Sequence, residues 1–205
     1  MPSNDPWVSV IIPVIRKEKV RRCVEAIESG TYPNYEIVMD FDDDRIGAPK
    51  MVNRLVARSH ADLVCFVGDD TIPDPNMLRA AVNAMGHFMD DWGLVGINDN
   101  IRLEWQKDKA AHFLMHKKLL HYTDGVMFHE GYVHCYCDNE LIERAMELGR
   151  YVMCKEAYLF HDHPAAYPGD PDKEDEDYRR VYGDKNYIHD LILFRRRKKS
   201  GWKNQ

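Results

Sequence analysis

No stretch of this chain approaches the ~20 consecutive apolar residues that a membrane-spanning helix requires. The start, Met1 to Pro6, has no basic segment followed by an apolar core, so no secretory leader is expected there. Five cysteines, an odd number without regular spacing, argue against a disulfide framework and for a reducing, cytoplasmic setting. Cys135 and Cys137 stand beside His134, but no second cysteine pair lies at finger-like spacing, which speaks against structural zinc. Acidic residues outnumber basic ones, 34 to 28. A net charge of −6 excludes a general nucleic-acid binder, which needs a basic surface. No internal repeat is visible. What is present suits one globular domain: 44% hydrophobic and 30% charged residues are ordinary proportions, and 205 residues can bury a substantial core.

Trp7 to Val14 is nearly continuous β-branched apolar sequence, the mark of a strand buried on both faces. Val20, Cys23, Val24 and Ile27 then repeat at helical spacing, and Gly30 ends that helix. Glu36 to Phe41 reads as a second strand, followed by Asp42, Asp43 and Asp44. Met51, Val52, Leu55 and Val56 mark a second helix, and Leu63 to Val67 a third strand. A third helix is expected to carry Met77 through Met89, and Gly93 to Ile97 a fourth strand. Strands alternating with helices predict an α/β fold with a mostly parallel sheet and right-handed crossovers. Beyond Asn98 the pattern weakens. Ala110 to Leu120 is read as helical, and none of the four nearby histidines, His112, His116, His121 and His129, stands at metal-ligand spacing. Another helix is expected after Asp138, with Gly149 beyond its end, then a strand or strand pair from Tyr151 to Phe160. Pro168 to Asp177 is an acid-rich loop, and Tyr187 to Arg197 a closing helix whose basic end, Arg195 to Lys199, suits a helix C-terminus.

Chemistry concentrates in Cys65-Phe66-Val67-Gly68-Asp69-Asp70. Two adjacent carboxylates stand at the carboxyl end of a buried strand, where open α/β sheets bind ligands. They repel each other and gain little from packing. A divalent cation resolves that repulsion and can in turn bind a diphosphate. Solvated turn aspartates, with Asp74 capping the next helix, are the plain alternative. Arg45 and Lys50 stand where a cation reaches phosphates, and each also suits a solvated surface.

These pieces resemble glycosyltransferase family 2, which has the GT-A fold. Val8 to Pro13 is similar to that family's opening strand, and Thr31 to Val38 to its approach to the second strand. Phe66 to Asp70 with Pro73, Asp74 and Leu78 resembles its metal-binding DxD-type segment. Cys137-Asp138-Asn139-Glu140-Leu141, followed by Gly149, Glu156-Ala157 and His161, resembles its acceptor-side motif. The likeness spans about residues 7–164, with 165–205 as an acidic loop and helical tail packed on the same domain. Ile15-Arg16-Lys17 replaces the usual aromatic residue or asparagine, and Cys137 replaces an acid.

The resemblance implies a Rossmann-like, mostly parallel sheet flanked by helices, and a metal-dependent inverting transfer from a nucleoside-diphosphate sugar, a UDP-sugar first, to an acceptor hydroxyl. It places Mn²⁺ or Mg²⁺ on Asp69, Asp70 and His161, with His163 as the alternative histidine. It puts the nucleotide by Pro13, Asp40 or Asp42, Arg45, Lys50 and Asp69, and matches Asn53 to a family asparagine. Asp138 is the implied general base and Glu140 its alternate. The acceptor is left open: a glycan, a small molecule, or a nucleic acid docked on the basic tail. A nucleotidyltransferase would need a glycine-rich loop after the first strand, and Pro13 to Lys17 contains no glycine. A non-catalytic nucleotide-sugar or glycan-binding module is the reading from another class.

Overall fold

The computed structural model describes residues 5–101, 109–174 and 176–203. Seven strands form one sheet in the order β2-β1-β3-β6-β5-β7-β4. They are β1 (Val8–Val14), β2 (Tyr35–Phe41), β3 (Leu63–Phe66), β4 (Thr71–Pro73), β5 (Leu94–Asn98), β6 (His112–His116) and β7 (Tyr151–His161). β1 pairs in parallel with β2 and β3, and β5 with β7. β6 lies antiparallel between β3 and β5, and β4 is antiparallel to β7. Five strands therefore point one way, and β4 and β6 point back. The carboxyl ends of β1, β2, β3, β5 and β7 open on one edge of the sheet.

Helices cover both faces. α1 (Lys17–Glu28) and α3 (Met77–Met85) pack on one, α2 (Ala48–Arg58) and α4 (Cys137–Glu147) on the other. β1 shows why its sequence is apolar throughout. Val8, Val10, Ile12 and Val14 enter the first core, and Ile11 enters the second. α1 buries Val20, Cys23 and Ile27, the predicted stripe. α5 (Glu176–Tyr182) and α6 (Asp184–Lys199) close the chain, after a 3₁₀ turn at Pro171–Lys173 in the acid-rich stretch.

Two expected elements differ. Ala110 to Leu120 is not a helix: His112–His116 is strand β6, followed by a 3₁₀ turn at Lys117–Tyr122. Phe113, Leu114 and Met115 are an apolar run too short to show a period, and two strand neighbours in the sheet centre decide its form. α3 stops at Met85, and Met89 lies beyond it, fully exposed. Residues 102–108, in the stretch where the sequence pattern weakens, fall outside the described residues. All five cysteines are free and buried. No helix among the described residues is long and apolar enough to cross a membrane.

Candidate active site

Chain reversal after β3 builds the site. Thr71 donates from both its backbone N–H and its hydroxyl to the Gly68 carbonyl, at 3.2 and 2.8 Å, which holds the Asp69-Asp70 turn. A Cβ on Gly68 would lie 2.8 Å from Asp70 Oδ1, so only glycine lets that carboxylate fold back. Asp69 Oδ2 accepts the N–H groups of Ile15 and Arg16 at 2.7 and 2.6 Å, and Oδ1 faces the Arg16 guanidinium at 3.3 Å. That acid is largely spent on bracing the chain beyond β1. Asp70 keeps looser partners, with Oδ2 3.6 Å from Arg16 and Oδ1 3.3 Å from His161 Nε2. Burial, then the Asp70 charge, push the Asp69 carboxyl above its usual range. Burial also works against ionised Asp70, but His161, Arg16 and His112 outweigh it and hold its pKa low.

His161 is the last residue of β7, and its Nε2 lies 3.3 Å from Asp70 Oδ1. Its backbone is bracketed by Asn100, which accepts from His161 N at 2.6 Å and donates to its carbonyl at 3.3 Å. On the far side of the ring stand Asp99 and His112, neither of which stands out in the sequence. Asp99 follows β5 and His112 opens the antiparallel β6, so both reach the same edge.

Beside Arg16 lies a cavity of ≈ 470 Å³, bounded by Val14, Asp42, Asp43, Arg45, Glu176 and Asp177. Asp42 is buried and accepts the N–H groups of Ile46 and Gly47 at 2.7 and 2.9 Å, fixing the loop into α2. Arg45, with φ +55°, reaches across to Asp177 on α5 at 2.5 Å. Asp40, Pro13 and Lys50 do not border this cavity. Asp40 turns to Arg58 at 2.7 Å, and Lys50 is exposed on α2. Asn53 braces the fold, accepting from Phe128 N at 3.0 Å and donating to its carbonyl at 2.8 Å. A larger groove of ≈ 970 Å³ opens at the opposite edge, by Trp7, Glu36, His60 and His116. Ligands of such sheets bind at the carboxyl ends of the strands, so the smaller cavity is the candidate.

Asp138 and Glu140 differ clearly in their surroundings. Asp138 is the second residue of α4, after Tyr136 in a left-handed conformation (φ +67°). Its Oδ1 accepts Asn139 N at 2.8 Å, and burial pushes its carboxyl up to about 6. Glu140 is locked away. It meets Arg197 at 2.7 and 2.8 Å, Tyr132 at 2.8 Å and Arg144 at 3.1 Å. His163 does not reach Asp70 as a ring contact but packs on Tyr178 and Tyr182 of α5. Burial, with His161 nearby, pushes it down to about 3, and burial and Arg16 push His134 down to about 4, so both stay neutral near pH 7. Burial and the charges of Cys135, Asp138, Tyr178 and Asp70 raise the Tyr182 hydroxyl well above its ordinary range.

Three solved structures share this arrangement of strands and helices. One is a mannosyltransferase from Pyrobaculum calidifontis in complex with GDP-Man and Mn²⁺: TM-score 0.69, 15% identity, covering 95% of this chain and 66% of that one. The others are of S. aureus TarS. Its 1–349 fragment in complex with UDP-GlcNAc matches with TM-score 0.60 and 15% identity, over 94% of this chain and 72% of the fragment. A longer TarS chain matches with TM-score 0.59 and 13% identity, over 75% of this chain and 36% of its own length. The fold is that of these glycosyltransferases. This chain thus spans about two thirds of the mannosyltransferase and about a third of the longer TarS chain. No family model and no curated protein matches the sequence.

Proposed function

We propose that this chain is an inverting, metal-dependent glycosyltransferase of family 2 that uses a UDP-sugar. The observation that carries the reading is the Asp69-Asp70 turn at the carboxyl end of β3, with His161 Nε2 3.3 Å from Asp70 Oδ1, beside the cavity lined by Arg16 and Arg45. Asp70 is the carboxylate that would hold the ion, with Asp69 bracing the turn and His161 beside its Oδ1. Asp70 has only long contacts, 3.3 Å to His161 Nε2 and 3.6 Å to Arg16, so its oxygens keep lone pairs for an oxygen-seeking Mn²⁺ or Mg²⁺. Bound there, Mn²⁺ or Mg²⁺ supplies the positive charge that a departing diphosphate needs. Arg16 and Arg45 add cationic charge at the cavity that would take the nucleotide.

Asp138 takes the acceptor hydroxyl's proton as its oxygen bonds to the anomeric carbon. The bond from that carbon to the diphosphate breaks on the opposite face, and the nucleoside diphosphate leaves. An acid with its pKa near 6 is ionised at neutral pH and basic enough to assist. Incubating the protein with UDP- and GDP-sugars, Mn²⁺ and an acceptor panel tests the reading. Turnover with inverted anomeric configuration by NMR, abolished in Asp70→Asn, is the expected result. Full turnover by Asp70→Asn in EDTA would overturn the metal-dependent mechanism.

A further inference from the structure

The ring of His161 has two sides, and only Nε2 faces Asp70. Its Nδ1 lies 4.0 Å from Asp99 Oδ2, and His112 Nδ1 lies 3.7 Å from the same oxygen. Both distances are too long for hydrogen bonds. Both nitrogens are buried and have no hydrogen-bond partner. His112 is only 3% exposed, and its ring stacks on Phe66 and meets His161 edge to face at 4.7 Å. Asp99 uses Oδ1 to accept Ile101 N at 2.9 Å, which aims Oδ2 at the two imidazoles. Unpaired buried polar groups are costly, and two aimed at one carboxylate oxygen enclose a space of definite chemistry.

We propose that Asp99 Oδ2, His112 Nδ1 and His161 Nδ1 form a binding site for a first-row transition-metal ion, separate from the ion of the donor diphosphate. Two imidazoles and one carboxylate select Zn²⁺, Co²⁺ or Mn²⁺ over Mg²⁺ and Ca²⁺, which prefer all-oxygen shells. One ligand atom from each of Asp99, His112 and His161 lies within 4.8 Å of the other two. Bonds of about 2.0–2.2 Å draw them together by up to about an ångström. With Nδ1 on this inner ion, His161 carries its proton on Nε2 and donates it to Asp70. The inner ion thereby fixes the ring that orients Asp70.

The proposal does not depend on sugar transfer, because the metal is titrated alone. The full chain is stripped with EDTA and titrated with Co²⁺ by visible absorption and with Zn²⁺ by calorimetry, without nucleotide. One equivalent is expected to bind. Asp70→Asn should change that affinity by no more than about threefold. Asp99→Asn and His112→Gln should each weaken it beyond the about 10–100-fold typical of outer-shell changes. ¹⁵N spectra of the unmutated protein should show the Nδ1 atoms of two histidines shifting on Zn²⁺ addition, a readout independent of whether His112→Gln folds. No binding without nucleotide would overturn the proposal. So would binding lost in Asp70→Asn but kept in Asp99→Asn, which would assign the ion to the donor-side carboxylates.

Discussion

The acids of the C-terminal cap and those of the strand edge are all largely withdrawn from water but differently served. Asp190 on α6 accepts three consecutive backbone N–H groups, from Val133, His134 and Cys135, at 2.8, 2.9 and 2.8 Å. Glu140 has a two-point contact with Arg197 and further donors from Tyr132 and Arg144. Every oxygen of these two acids is partnered, so each works as a strut that holds the loop 131–137 and α4 in place. At the strand edge Asp70 has long contacts only, Asp99 points at two imidazoles without bonding them, and Asp138 accepts from its own helix. Burial alone does not separate a strut from a site. Completeness of partners does, because a buried charge lacking partners is costly unless a ligand supplies them.

Asp138 gives the largest expected effect. Asp138→Asn should lower turnover by about 10²–10⁴-fold and leave donor affinity nearly unchanged. The base must be ionised, and burial pushes its pKa up to about 6, so kcat should fall as pH drops through about 6. The same shift has an opposite consequence for the fold. A carboxyl raised above its unfolded value stabilises while protonated, and that contribution is lost as pH rises through the folded value. Asp138→Asn should therefore melt no lower than the parent at pH 8. Lower stability with turnover retained would reclassify Asp138 as a strut.

Glu140 sharpens the contrast from the other side. Glu140→Gln takes from the Arg197 guanidinium, 4% exposed, its two-point buried counter-ion and leaves it the longer contact to Asp124 at 3.4 Å. Breaking a buried pair from one side costs about 3–5 kcal/mol, read from urea unfolding at pH 7. Turnover per folded molecule should stay within a few-fold of normal. Stability retained with turnover lost would move the base two residues along the helix.

How much of this was legible in the sequence follows from range of contact. β1, α1, β2, α2 and β3 could be read because their periods are local and strong, and Asp69-Asp70 because a strand's end shows in the pattern. His161 came from motif order. Asp99 and His112 stayed hidden because they meet only once β6 inserts antiparallel between β3 and β5, and the five apolar-rich residues of β6 carry no period that tells strand from helix. Glu140 looked like a second base because its partner Arg197 lies 57 residues away in a run whose charge suited a helix end. Asp190, inside the closing helix, carried no signal at all, since its three donors are backbone groups.

The smallest effect lies where the two regions touch. Asp177 of the cap pairs with Arg45 of the strand edge across the mouth of the cavity. Arg45 is 48% exposed, so the pair contributes only about 0–1 kcal/mol to the fold. Asp42, Asp43, Glu176 and Asp177 all line the cavity, where their charge opposes an incoming diphosphate. Asp177→Asn removes one of these charges and frees Arg45 for phosphate. Stability should fall by less than about 1 kcal/mol, while UDP should bind about two- to fivefold more tightly at low salt. The gain should shrink at 0.5 M NaCl, because exposed charges are screened there. Weaker UDP binding in Asp177→Asn would mean that the cap acid positions Arg45 for the ligand instead of competing for it, and the cap would then belong to the site.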